Sequence, residues 1–309
     1  MKGNNENWLI IGAGAIGLLW YSKLADLKIS VTLLHRSTQK LQTLILENNQ
    51  GVKSYPLNEL SNSWLYNGNT EQTFNRILFC TKSFDLINAY KENMAKISPD
   101  AQLITLCNGM GSQHQLAETL KPTQTLFIAT TSEGALKLAP NKIKRTGEGD
   151  IYIGALDHSK RPPQPFSPFY TGDIVKKLYS KLAVNAVINP LTAFFDIKNG
   201  QLLNAQYSHF YLACRVEVCH FLVAKGFVQS DLANLIDQVV EKTAQNRSSM
   251  LQDFSSQRET EIDYICGFLI AEADKTELRL PIQSFLLECI KKKLDHTKKL
   301  SELSSLISF

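Results

Sequence analysis

The 309-residue sequence predicts an α/β protein of two domains, a parallel-sheet domain over residues 1–172 and an all-α domain over residues 173–309. Three observations carry that reading. Short apolar runs alternate with helical patterns through the first half. The first of those runs leads straight into a Gly12-x-Gly14-x-x-Gly17 turn. After a stretch containing Pro162, Pro163, Pro165 and Pro168, the strand signals cease and helical periodicity takes over.

The first element is the apolar strand Trp8-Leu9-Ile10-Ile11, followed by the glycine turn, a helix and a second strand, Val31-Thr32-Leu33-Leu34. Gly12 permits the tight turn, Gly14 lets backbone approach a pyrophosphate, and Gly17 lets helix pack on strand. Ala15 and Ile16 open the helix, whose first N–H groups and partial positive charge face the phosphates. Strand, turn, helix and second strand in this order predict a Rossmann-type dinucleotide site at Gly12, Gly14, Ala15, Ile16 and Gly17. Sites for NAD place an acid at the end of the second strand to hold the ribose 2′-hydroxyl. Here Leu34-His35-Arg36-Ser37-Thr38 stands there, and a guanidinium suits a 2′-phosphate, so the expected cofactor is NADPH with Arg36 as its phosphate ligand, the alternative being a solvated strand-end arginine.

Further strands are expected over Arg76–Thr81, Gln102–Cys107, Thr125–Ala129 and Ile151–Gly154, forming a parallel sheet covered on both faces. Residues 40–73 are polar and carry no clear element pattern, and Asp157–Gly172 has the composition of a loop or linker. Helices are expected over Ile174–Asn189, Tyr207–Ala224, Ser230–Arg247, Glu261–Ala273 and Gln283–Lys298.

Composition limits the function classes. Apolar content of 44%, charged content of 20% and a net charge of +4 describe a soluble globular chain. Lys291-Lys292-Lys293 reads as a solvated helix face, and no concentrated basic stripe suggests nucleic-acid binding. The polar start Met1–Asn7 lacks the apolar core of a signal peptide, and no apolar run reaches the roughly 20 residues that cross a bilayer. Six scattered cysteines suggest buried thiols, and Cys214, Cys219 and His220 lack a second ligand pair, so no metal is expected. The expected location is cytoplasmic. No segment carries a signature of oligomeric state.

Two strand ends bear polar groups where ligands of open parallel sheets bind: Cys80-Thr81-Lys82-Ser83 and Cys107-Asn108-Gly109-Met110-Gly111. Asn108 can bond a cofactor ribose or carboxamide, though each loop taken alone is better accounted for by ordinary turn chemistry. Lys181, Asn185 and Asn189 recur every four residues, which stacks them on one face of an otherwise apolar helix. A buried face with a lysine and two amides is unfavourable unless a polar ligand or one another satisfies them. The alternative is that Lys181 snorkels while the amides bridge helices. Pro190 is expected to end or kink that helix after Asn189. Asn246–Ser249 forms a polar patch suited to a carboxylate. Thr260 and Asp263 suggest a capping box that would put Glu261 in the first turn of a helix.

These blocks resemble the ketopantoate reductase (2-dehydropantoate 2-reductase) family over nearly the whole chain. The matching residues are Gly12–Gly17, Thr81-Lys82, Asn108–Gly111, Lys181–Asn185 through Asn189-Pro190-Leu191-Thr192-Ala193, Ser248–Asp253 and Thr260–Tyr264. The resemblance implies NADPH-dependent reduction of 2-dehydropantoate to (R)-pantoate, with that small molecule as partner. It implies Lys181 as general acid and Glu261 as its acidic partner. Asn185 and Asn189 would hold substrate hydroxyls, with Asn246 and Ser249 near the carboxylate. Lys82 and Asn108 would line the cofactor site, Asn108 reaching the substrate as well. Reduction of another short 2-oxo acid on the same fold, or dinucleotide binding without catalysis, are the competing readings.

Overall fold

The computed structural model describes residues 7–36, 40–61, 73–156 and 160–307. The expectations for the polar start, for Ser37 and Thr38, and for the first residues of the proline-rich stretch fall outside these. The chain divides into two units: Met1–Cys107 with Ser112–Val175, and Asn108–Gly111 with Lys176–Phe309.

In the first unit, β1 (Trp8–Ile11), α1 (Ala15–Asp26) and β2 (Val31–His35) form the opening βαβ arrangement. β1 lies between β2 and β6 (Phe74–Phe79), parallel to both, with Trp8 opposite Val31 and Arg76. Its residues are buried on both faces: Trp8 and Ile10 pack with Leu18, Trp20 and Leu33, and Leu9 and Ile11 pack with Ile77, Phe79 and Leu103. That two-sided burial is why β1 reads as a continuous apolar run. β7 (Ile97–Thr105) and β8 (Thr125–Thr131) extend the sheet in parallel beyond β6, and a short β5 (Glu59–Ser61) adds parallel to β2. Helices α2 (Leu86–Glu92) and α3 (Ser112–Thr119) follow β6 and β7.

Two features depart from the expected parallel sheet. β11 (Ile151–Ala155) runs antiparallel to β8, so the seven-stranded sheet is mixed at that edge. A second sheet, in the order β4-β3-β10-β9, joins β3 (Thr43–Asn48), β4 (Gly51–Pro56), β9 (Gly134–Ala139) and β10 (Lys142–Gly147). Its strands are mostly half-exposed, with only isolated core residues such as Leu44, Tyr55 and Ile143, so they resemble loop in a linear reading. The proline-rich stretch is also more than a linker. Phe166 is fully buried, its ring stacked 4.4 Å from that of Trp20 and 5.4 Å from that of Trp8.

The second unit is helical: α4 (Ile174–Phe195), α5 (Ser208–Val223), α6 (Gln229–Lys242), α7 (Ser249–Ser255), α8 (Phe268–Asp274), α9 (Pro281–Lys292) and α10 (His296–Leu306). Three expected boundaries are corrected. α6 stops at Lys242. The expected final helix breaks after Lys292, where Lys293 takes a left-handed conformation (φ +50°) and Asp295 caps a new helix by accepting from Thr297 N–H. The helix expected from Glu261 begins instead as a π-helical turn over Asp263–Gly267 with no side-chain cap, so Thr260 forms no capping box.

The larger correction is α4, which runs through Pro190 for one and a half further turns. Proline has no N–H, and the residue four positions back, Ala186, loses its helical donor, at a typical cost of about 3 kcal/mol. Side chains from two other helices supply the missing donors. Gln283 Nε2 donates to Ala186 O at 3.1 Å, and the Cys214 thiol approaches the same oxygen at 3.8 Å. Among the described residues no helix is both long and apolar enough to cross a membrane.

Glu217 on α5 receives the free N–H groups at the start of α9, Ile282 at 2.9 Å and Gln283 at 2.8 Å. Burial nevertheless pushes its carboxyl up to about 7, outweighing those two bonds. A carboxyl that binds its proton more tightly folded than unfolded contributes stability below about pH 4.5 that is lost as pH rises through about 7. Glu217→Gln should therefore flatten the decline of Tm between about pH 5 and pH 8. An unchanged pH slope in thermal melts would remove Glu217 as its source.

Candidate active site

In the first unit the glycine turn is held by contacts that exclude side chains. Gly12 has φ +114°, and a Cβ there would lie 2.7 Å from Cys80 O; a Cβ on Gly17 would run into Gly12 O. α1 starts from Gly14 with no side-chain cap and no acid in its first turn. Its first helical bond joins Leu18 N–H to Gly14 O, at 3.0 Å, leaving the N–H groups of Ala15, Ile16 and Gly17 without helical acceptors. Such a start fits an anionic pyrophosphate.

Arg36, at the end of β2, is 62% exposed in its side chain and pairs with Asp85 at 2.8 Å. Lys82 is half-buried and leads into the short 3₁₀ turn Ser83–Asp85, so it lies three residues from that pair. A cation that the sequence did not single out also meets the turn. Lys137 on β9 donates from Nζ to Ala13 O at 2.6 Å. Only the fold of the second sheet brings it there.

In the second unit three charged or amide groups form one hydrogen-bonded chain. Lys181 Nζ donates to Asn108 Oδ1 at 3.0 Å, and Asn108 Nδ2 donates to Glu261 Oε2 at 3.2 Å. The two partners fix the orientation of the amide, since oxygen must face the ammonium and nitrogen the carboxylate. Glu261 is only 4% exposed and stands just before the π-helical turn, outside any helix. Asn108 comes from the turn Asn108–Gly111, which docks on that same segment. Met110 N–H donates to Tyr264 O at 2.8 Å, and Gly109 (φ +73°) lies so close that a Cβ would strike the Tyr264 carbonyl. The π-helical widening and the glycine thus position the amide.

Asn185 and Asn189 follow Lys181 along α4 at one-turn intervals. Asn189 is 6% exposed, Asn185 is half-buried, and neither side chain hydrogen-bonds within the described residues. Asn246 and Ser249 are exposed and make no hydrogen bond to the Lys181–Asn108–Glu261 chain. Between them in sequence, the buried Ser248 caps α7 by accepting from Leu251 N–H at 3.1 Å and bonds Thr192 of α4 at 2.7 Å. None of the six cysteines forms a disulfide, and no group of three or more His, Cys, Asp or Glu among the described residues could hold a metal.

A dinucleotide turn in one unit and a lysine–amide–carboxylate chain in the other define a class, the oxidoreductases that use a nicotinamide dinucleotide. The family model described as ketopantoate reductase PanE/ApbA matches residues 8–158, and its C-terminal counterpart matches residues 173–294. The chain belongs to the ketopantoate reductase family. It is 29% identical over 303 residues to a 2-dehydropantoate 2-reductase of Vibrio cholerae, covering 92% of this chain and 97% of that protein. The fold matches a crystal structure of 2-dehydropantoate 2-reductase from Geobacter metallireducens at TM-score 0.81 and 18% identity, over 93% of this chain and 99% of that one. It also matches D-mandelate dehydrogenase with NADH and anilino(oxo)acetate at TM-score 0.81 and 21% identity, over 94% and 98% of the two chains.

Gly17→Ala tests the cradle. The added methyl must displace the Gly12 carbonyl, so dinucleotide affinity measured by fluorescence titration should fall at least about tenfold. Wild-type affinity would mean that the turn is not where the cofactor binds.

Proposed function

We propose that this chain reduces 2-dehydropantoate to (R)-pantoate with NADPH, using Lys181 as general acid. The observation that carries the reading is the Lys181–Asn108–Glu261 chain at the head of a helix face whose next two polar residues, Asn185 and Asn189, have unused amides. Bound at the glycine turn, a reduced nicotinamide dinucleotide supplies the hydride. Gly12, Gly14, Ala15, Ile16 and Gly17 would hold its pyrophosphate, with Arg36 at the 2′-phosphate and Lys82 and Asn108 along its length.

The protein's own part follows from charge. Hydride addition to a ketone carbon turns the carbonyl π pair into a full negative charge on oxygen. The Lys181 ammonium stabilises that charge and donates one proton to it, giving the alcohol and a neutral amine. The Asn108 oxygen holds the ammonium in place, and Glu261 holds the amide that does so. Asn185 and Asn189 offer both donors and acceptors, which suits a substrate with hydroxyl groups. Asn246 and Ser249 would lie toward its carboxylate. Six cysteines without a disulfide support a cytoplasmic location.

The decisive assay is the initial rate of NADPH oxidation with 2-dehydropantoate, beside NADH and beside 2-oxoisovalerate. Turnover with preference for NADPH and for 2-dehydropantoate is expected; equal kcat/KM for the two oxo acids would sink recognition of the substrate hydroxyl. Lys181→Ala should lower kcat by about 10²–10⁴-fold while NADPH affinity stays within about twofold. An unaltered kcat excludes Lys181 as the acid. Arg36→Ala should weaken NADPH far more than NADH, and equal loss for both would make Arg36 structural.

A further inference from the structure

We infer that Gln283 is a positioning residue for the substrate-holding face of α4, acting as the hydrogen-bond donor that Pro190 lacks. The inference rests on the reading of Asn185 and Asn189 as substrate ligands. Its basis is a vacancy in the α4 hydrogen-bond ladder and the side chain that fills it. Pro190 follows Asn189 directly, and the carbonyl it leaves without a helical donor, Ala186 O, follows Asn185 directly. Asn185 therefore borders, and Asn189 lies within, the turn of α4 that Pro190 leaves without its own hydrogen bond.

That turn is completed from outside. Gln283 is 0% exposed and spends its amide nitrogen on Ala186 O at 3.1 Å and on the Cys214 sulfur at 3.2 Å. The position of Gln283 is itself determined, because its backbone N–H is bound to Glu217 at the start of α9. On the far side of the same turn, Thr192 Oγ1 lies within hydrogen-bonding distance of Ile188 O (2.7 Å) and of Asn189 O (3.1 Å) and is joined to Ser248. A helix turn interrupted by proline bends or shifts unless something restrains it. Here the restraint at its Asn185 end is the Gln283 amide, and a shift of that turn moves Asn185 and Asn189 relative to Lys181.

The specific consequence is a coupling between two residues that are distant in sequence. With alanine at position 190 the helix regains its own N–H donor to Ala186 O, and Gln283 becomes dispensable. Gln283→Met keeps length and volume but removes the donor.

The test is a double-mutant cycle in the full chain with Q283M, P190A and P190A/Q283M. Steady-state kinetics with 2-dehydropantoate, NADPH affinity by fluorescence and Tm are read for each. Q283M alone should raise KM for 2-dehydropantoate by about tenfold, lower Tm, and leave NADPH affinity within about twofold. In the P190A background the same substitution should change KM by less than about twofold. A lowered Tm with unchanged KM would show a merely structural bond and overturn the positioning role, as would equal effects of Q283M in both backgrounds. Wild-type protein inactive on 2-dehydropantoate would instead overturn the substrate reading; the cycle is then read with the 2-oxo acid that the wild type does reduce, and in Tm without any substrate.

Discussion

The hydrogen-bonded chain from the Lys181 ammonium through the Asn108 amide to the Glu261 carboxylate constrains much of the helical unit. Three segments far apart in sequence must meet for it to exist: the turn that follows β7, the long helix α4, and the segment that leads into a π-helical turn. Each has a local device that serves the meeting. Gly109 accepts a backbone conformation and a proximity to Tyr264 that a side chain would forbid. The π-helical turn offers the Tyr264 carbonyl to Met110 N–H. The four-residue turn Asn108–Gly111 consequently belongs with the helices and not with the sheet whose strand β7 precedes it. A primary amide accepts through its oxygen and donates through its nitrogen, so one asparagine side chain can face the ammonium and the carboxylate at once.

Much of this was legible in the sequence, in proportion to how local the physics is. The glycine turn and β1 declare themselves because backbone sterics and two-sided burial act over a few residues. The spacing of Lys181, Asn185 and Asn189 declares itself because helical periodicity is local as well. The second sheet did not. Val52, Lys53 and Ser54 in β4, and Leu136, Lys137 and Leu138 in β9, are exposed, so neither strand shows an apolar run. Their pairing joins residues 43–56 to residues 134–147, a long-range fact that no window of sequence contains. Lys137 was missed for the same reason. Glu261 reads locally as a first-turn acid facing a helix dipole, whereas one of its partners is an amide 153 residues away.

Pro190 shows how a local rule can be right in mechanism and wrong in outcome. The rule that proline ends a helix rests on a lost hydrogen bond, and that bond is indeed lost at Ala186. The helix continues because Gln283 and Cys214 restore donors to the carbonyl from α9 and α5. A tertiary contact thus decides a secondary-structure boundary. The same contacts account for the buried Cys214, whose sulfur lies between the Gln283 amide and the Ala186 carbonyl.

The proposed preference for NADPH rests on a contrast between two polar contacts at the end of β2. His35 is buried against Glu59 at 2.8 Å, and Glu59 also accepts from Leu41 N–H, so this acid is fully engaged in the fold and is poorly placed to serve a ribose hydroxyl. Arg36, the next residue, pairs with Asp85 at a largely exposed position. An exposed pair of that kind contributes about 0–1 kcal/mol, because water and salt screen it and two long side chains must be ordered. A phosphate carrying nearly two negative charges attracts the guanidinium more strongly than one carboxylate does. On the proposed cofactor placement, Glu59 is thus committed elsewhere, while Arg36 is held by a bond weak enough for a 2′-phosphate to replace.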